Sequence, residues 1–175
     1  GIHIIRNQLP TILEDATNNL SMMLRDLLSV LWDQFKSIDK CLKQFTQQIE
    51  TLASTNEMCQ SLMKIPGIGP ISATILLTVL GQVSAFKNSR DFAAFLGLVP
   101  KQHSSGNKIR LKGISKQGNS YIRRLLIHGA RAVIRHCDGK TDKRSQWILD
   151  KKNRSHVNVA AVALANKNAR CCWAM

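Results

Sequence analysis

From Leu20 to Leu52 the apolar side chains recur in alternating steps of four and three: Leu20, Leu24, Leu27, Leu31, then Phe35, Ile38, Leu42, Phe45, Ile49 and Leu52. A heptad repeat keeps one stripe turned toward a partner helix. The extra step of four between Leu31 and Phe35 is a stutter, which locally changes the supercoil. No glycine or proline interrupts the chain between Thr11 and Ile65. Residues 10–58 therefore read as one or two long helices. Their partner is a helix of the same chain or of a second copy; the pattern fits an ordinary bundle helix equally well.

Charge separates this stretch from the C-terminal half of the chain. The 175-residue chain has a formal charge of +14, and residues 1–80 carry a net −1 while residues 81–175 carry +15. A field of that size opposes compaction and attracts polyanions, so nucleic acid is the leading partner, with an anionic membrane surface second. Hydrophobic residues form 44% of the chain, too many for a disordered basic tail. The longest apolar runs, such as Ile75-Leu76-Leu77, are far short of the roughly 20 residues of a membrane span. Gly1 to Pro10 lacks the apolar core of a signal peptide. The five cysteines (Cys41, Cys59, Cys137, Cys171, Cys172) follow no metal-ligand spacing, and no metal site is expected from them. They read as free thiols of a reducing compartment, the cytoplasm.

The second segment, residues 59–99, centres on Leu62-Met63-Lys64-Ile65-Pro66-Gly67-Ile68-Gly69-Pro70. An apolar helix end, a glycine-punctuated turn and a second helix opened by Pro70 make a helix-hairpin-helix pattern. Such a turn leaves backbone N–H groups free to hold a phosphate without reading a base; the same pattern also serves as a purely structural helical hairpin. Asn88 or Ser89 is placed to cap a short helix through Phe95, which Gly97 and Pro100 end.

The third segment begins with the polar stretch Lys101 to Gly118, a short hairpin or a loop. A helix then runs from Asn119 or Ser120 to about His136, with Arg123, Arg124 and Arg131 on faces other than the apolar one. Residues 138–156 read as a charged, mobile linker anchored by Trp147 and Ile148. A final apolar helix spans Val157 to Trp173.

Asp91, Asp138, Asp142 and Asp150 are the only acidic residues beyond residue 80, too scattered for a two-metal nuclease site. A covalent nucleophile is better supplied. Ser104-Ser105-Gly106 would let a hydroxyl project from a tight turn, with His103 beside it and Lys108, Arg110, Lys112 and Lys116 close behind. Clustered cations can stabilise the charge that develops at a scissile phosphate. Tyr121, the only tyrosine, is either a second hydroxyl of this kind or the first core residue of its helix. Ser-Ser-Gly is also an ordinary turn sequence.

Taken together, the runs Ile65-Pro66-Gly67-Ile68-Gly69-Pro70, Phe95-Leu96-Gly97-Leu98-Val99-Pro100, His103-Ser104-Ser105-Gly106, Gly113 to Asn119 and Tyr121-Ile122-Arg123-Arg124-Leu125-Leu126, closing with Asn158-Val159-Ala160 to Trp173, resemble the C-terminal half of IS110/IS116/IS902 transposases. The resemblance implies a mainly α fold. Its first part is a helical coiled-coil or oligomerisation segment (1–58), followed by a compact helical DNA-binding and recombination domain (59–175) with a helix-hairpin-helix-like turn and a basic loop or short hairpin. It implies a serine nucleophile at Ser105 for strand cleavage and rejoining in transposition. Arg110, Lys116, Arg123 and Arg124 would support the phosphate, and Lys64, Gly67, Gly69, Lys108, Lys112 and Arg131 would contact nucleic acid.

The resemblance further implies double-stranded DNA and a structured guide RNA as partners, dimers or tetramers, and a nucleoid-associated place in a bacterial cytoplasm. Magnesium belongs to an N-terminal RuvC-like acidic domain that this chain lacks; no cofactor is expected within the chain itself. Starting without Met and stopping inside its last helix, the chain reads as a truncated copy or an excised part, not expected to transpose DNA alone. The alternative is a non-catalytic nucleic-acid-binding and oligomerisation module, the relic of such an element.

Overall fold

In the computed structural model of the chain, residues 1–81, 86–105 and 108–175 are described, apart from the side chains of residues 103–105 and 108–110. The chain divides into two compact units, Gly1–Gln48 and Ile49–Met175. The fold is mainly helical, with one antiparallel hairpin.

The first unit contains α1 (Ile2–Glu14) and most of α2 (Met22–Thr55). Of the one or two long helices expected over residues 10–58, α2 is the long one; α1 starts earlier, at Ile2, and residues 15–21 separate the two without glycine or proline. Asp15 accepts from the amide of Thr17 at 2.8 Å and from its hydroxyl at 2.6 Å, a side-chain turn that competes with helix. Asn18 donates to Ile12 O at 2.6 Å and accepts from Arg25 Nη2 at 2.8 Å, which fixes the turn. The Thr17 contacts hold the Asp15 carboxyl below the usual range. Along α2 the heptad positions Leu24, Leu27, Leu31, Ile38, Leu42 and Phe45 are exposed.

The second unit holds the core. Asn56 begins α3 (Glu57–Met63) by accepting from Cys59 N at 3.0 Å. A turn over residues 64–69 leads into α4 (Pro70–Leu80), whose first residue is Pro70, a position that needs no N–H. Asn88 caps α5 (Ser89–Phe95) through the amides of Arg90 and Asp91. The polar stretch forms a hairpin, β1 (Pro100–Ser105) with β2 (Lys108–Ile114). Asn119 caps α6 (Ser120–Arg135), accepting from Tyr121 N and Ile122 N.

Residues 138–156, read as a mobile linker, instead contain α7 (Lys143–Arg154). Asp142 caps it through the amides of Arg144 and Ser145, both at 3.0 Å, and the Ser145 contacts lower its pKa. Ile148 anchors this helix in the core at 1% exposure. The chain closes with α8 (Val157–Trp173).

Ala160, Ala161, Ala165 and Ala169 give α8 a small-residue face, so it packs closely along α6 and α5. Around it Leu62, Leu76, Phe92, Leu96, Ile122 and Leu126 fill the interior. Each such side chain contributes about 1.5–3 kcal/mol by leaving water.

Candidate functional site

Strand alternation and a short polar connection place Ser105 at the end of the hairpin. Its backbone pairs with Lys108, followed by Ser104 with Ile109, His103 with Arg110 and Gln102 with Leu111; the register shifts between Pro100 and Gln102. Gly106 and Asn107 join the strands and lie outside the described residues, as do the side chains of Ser104, Ser105, Lys108 and Arg110.

The base of the hairpin is tied down from several directions. Ser115 N donates to Val99 O at 2.8 Å, and Lys116 N donates to Gly97 O at 3.2 Å. Arg123 is 9% exposed, and its Nη1 donates to Leu96 O at 3.1 Å and to Gln117 O at 2.8 Å. Two glycines make this approach feasible. Gly97 and Gly118 have φ of +68° and +73°. A Cβ on Gly97 would strike the Gln117 backbone, and one on Gly118 would strike Phe95 O. Lys116, in a left-handed conformation at φ 57°, turns the chain between them with its side chain exposed. Asn166 of α8 completes the support, donating to Leu98 O at 3.2 Å.

The helical turn before α4 is secured in the same manner. Gly67, at φ +93°, lies against Gly129 of α6; a Cβ on Gly67 would come within 2.8 Å of Gly129 O. Ile65 N and Ile68 N are spent on Leu62 O and Ile65 O, each at 3.0 Å. Asn168, wholly buried, donates to Pro66 O at 2.9 Å. Gly67, half-buried, thus packs against α6, whereas Lys64 and Gly69 are exposed.

The remaining cations spread over the surface. Lys112 is exposed beside a groove lined by Leu98, Pro100, Trp147, Lys151 and Val159. Arg124 is exposed, with its guanidinium 5.9 Å from the centre of the Tyr121 ring. Arg131 Nη2 donates to Asn158 Oδ1 at 3.0 Å, at a notch of about 370 Å³ that Arg135 and Val157 also line. The positions of Asn166 and Asn168 escaped the sequence reading. Their signal was the occurrence of amides in an otherwise Ala-rich apolar helix, where an unpaired amide is costly.

The carboxylates of this half do not suit a divalent metal. Asp91 meets the Asn88 amide at 3.1 Å, Asp138 pairs with Lys152 at 3.0 Å, Asp142 caps α7 and Asp150 pairs with Arg154. Among the described residues no three His, Cys, Asp or Glu side chains gather to hold a metal ion. No described helix is long and apolar enough to cross a membrane.

Comparison with known proteins adds to this geometry. The chain is 43% identical over 168 residues to the transposase for insertion sequence element IS1111A of Coxiella burnetii, covering 96% of this chain and 46% of that protein. It is 44% identical over 167 residues to a probable family 20 transposase of Pseudomonas aeruginosa (95% and 49%), and 37% identical over 173 residues to the transposase for insertion sequence element IS1328 of Yersinia enterocolitica (99% and 51%). The chain thus spans about half the length of these curated relatives. The sequence profile of the transposase IS116/IS110/IS902 family matches residues 59–146, which run from α3 through the hairpin and α6 into α7. By that match, over half of its length, the chain belongs to the transposase IS116/IS110/IS902 family.

Proposed function

We propose that residues 59–175 are the C-terminal recombination domain of a DNA transposase and that Ser105 is its nucleophile. The observation that carries this reading is the hairpin: Ser105 ends the β1–β2 ladder, on a base held by Arg123, Asn166 and the Gly97–Gly118 crossing. A reacting group at the end of a braced element can be held in attack geometry, while a serine in a loose loop cannot. In the reaction the serine Oγ–P bond forms as one bridging P–O bond of the DNA phosphodiester breaks. The hydroxyl proton leaves with the departing deoxyribose oxygen, and rejoining reverses both transfers. Arg110, Lys116 and Arg124 supply positive charge for the phosphate, and Arg123 acts by holding the hairpin.

Residues 1–58 bring copies together through the exposed heptad stripe of α2, as a dimer or tetramer. Lys64, Lys108, Lys112 and Arg131 contact nucleic acid, which includes duplex DNA and a structured guide RNA. A RuvC-like acidic domain outside this chain supplies the magnesium chemistry. The protein works in the bacterial cytoplasm at the nucleoid.

The test is a covalent adduct. In a full-length transposase carrying this segment, labelled substrate DNA should become bound to protein resistant to denaturant. Ser105→Ala should abolish the adduct and Ser104→Ala should retain it. An adduct that survives Ser105→Ala overturns Ser105 as the nucleophile.

A further inference from the structure

Along α6 the residues Arg124, His128, Arg131 and Arg135 succeed one another in steps of four, three and four. At 100° per residue these positions fall on one face, opposite the buried face made by Ile122, Leu126, Ala130 and Ile134. Arg124, His128 and Arg135 are exposed, and Arg131 is half-buried where it holds Asn158. The helix contains no acidic residue, and among the described residues no carboxylate ion-pairs with any of the three arginines. The row ends at the notch lined by Arg131, Arg135, Val157 and Asn158.

We infer that this face of α6 is a track for the phosphate backbone of duplex DNA, with the Arg131–Arg135 notch taking a phosphate at its far end. The inference rests on the proposed nucleic-acid binding and holds whether or not Ser105 is the nucleophile. The eleven steps from Arg124 to Arg135 span about 16 Å, so the row is long enough to meet more than one phosphate of a single backbone. Proteins that hold single strands combine cations with aromatic platforms on which bases stack. This face offers little for bases to stack on: Tyr121 lies at its end, already beneath Arg124, and the other ring is the small His128 imidazole. Three arginines in one row with so little stacking surface favour the duplex.

The experiment uses the chain itself and a fluorescent duplex of about 20 base pairs, titrated between about 50 and 200 mM salt. Each lost phosphate contact lowers the slope of log affinity against log salt by about 0.9. Replacing Arg124, Arg131 and Arg135 together by Gln is therefore expected to lower it by about 2.7. The matched control replaces Lys36, Lys40 and Lys43 by Gln, the same loss of charge, and should leave the slope unchanged. If the triple Gln variant fails to fold, Arg135→Gln in the exposed last turn serves alone, with a loss of about 0.9; Arg135→Lys should restore it.

Equal slopes for the α6 and control variants overturn the inference. So does an α6 variant that loses a single-stranded or RNA ligand but keeps the duplex. If the unaltered chain binds no duplex at all, the proposed nucleic-acid binding falls with it. Failure of the Ser105 adduct test leaves this one standing.

Discussion

Removing the Arg123 guanidinium should destabilise the second unit and loosen the base of the hairpin above all. The side chain is 9% exposed and its Nη1 serves two carbonyls, those of Leu96 and Gln117. A hydrogen bond from a charged donor contributes about 1.5–3 kcal/mol. Taking the low end twice gives a loss of roughly 3 kcal/mol for Arg123→Ala, and losing the packed stem raises it toward about 4. Arg123→Met keeps the stem without the donors, so its loss should be smaller than that of Arg123→Ala, about 3 kcal/mol. Urea unfolding followed by circular dichroism gives these differences from the shift in midpoint at constant slope. Native-state hydrogen exchange locates them: the Ser115 and Lys116 amides, bonded to Val99 O and Gly97 O, should lose about a hundredfold in protection, the equivalent of roughly 3 kcal/mol. Midpoints for Arg123→Ala within about 0.5 kcal/mol of the unaltered chain would refute the reasoning, since surface substitutions act on that scale.

Two further outcomes test the interior. Gly129→Ala should cost about 3 kcal/mol, because its Cβ would overlap Gly67 O and overpacking typically costs that order; an unchanged thermal midpoint would show that α6 and the 64–69 turn are not in contact. Thiol titration should separate the cysteines. Burial pushes the Cys172 thiol up to about 12, so at mildly alkaline pH it stays protonated and unreactive, whereas exposed Cys41 is accessible to a disulfide reagent. Cys172 reacting as fast as Cys41 in the folded chain contradicts the packing of α8.

The elements that could be read from sequence were those whose boundaries are written in local chemistry. Asn88, Asn119 and Pro70 mark helix starts by what their own atoms can or cannot donate, and the structure uses each in that role. The break at residues 15–21 is also local, but it depends on Asp15 folding back on Thr17 rather than on glycine or proline. In α7 the signal was drowned by charge: Lys143, Arg144, Lys151, Lys152 and Arg154 suggest a solvated linker, while one cap and one buried isoleucine suffice to order it. At the hairpin the limit is of another kind. Arg123 and Arg124 are adjacent, equally charged and indistinguishable by composition. A rotation of 100° about α6 sends one into the interior, toward carbonyls presented from residues 96 and 117, and the other to solvent. Spacing does place Arg123 on the interior face, three, seven and eleven residues before the buried Leu126, Ala130 and Ile134, and leaves Arg124 outside it; which carbonyls Arg123 meets depends on where α5 lies against α6. The two glycine crossings carry the same lesson. Gly67, Gly97 and Gly118 look like turn punctuation in sequence and Gly129 like a residue inside a helix, yet each lies where distant segments come into contact. A chain with this charge is pulled apart by its own field. Close backbone crossings, buried asparagines and one interior arginine are the means by which it holds a basic hairpin in a fixed place.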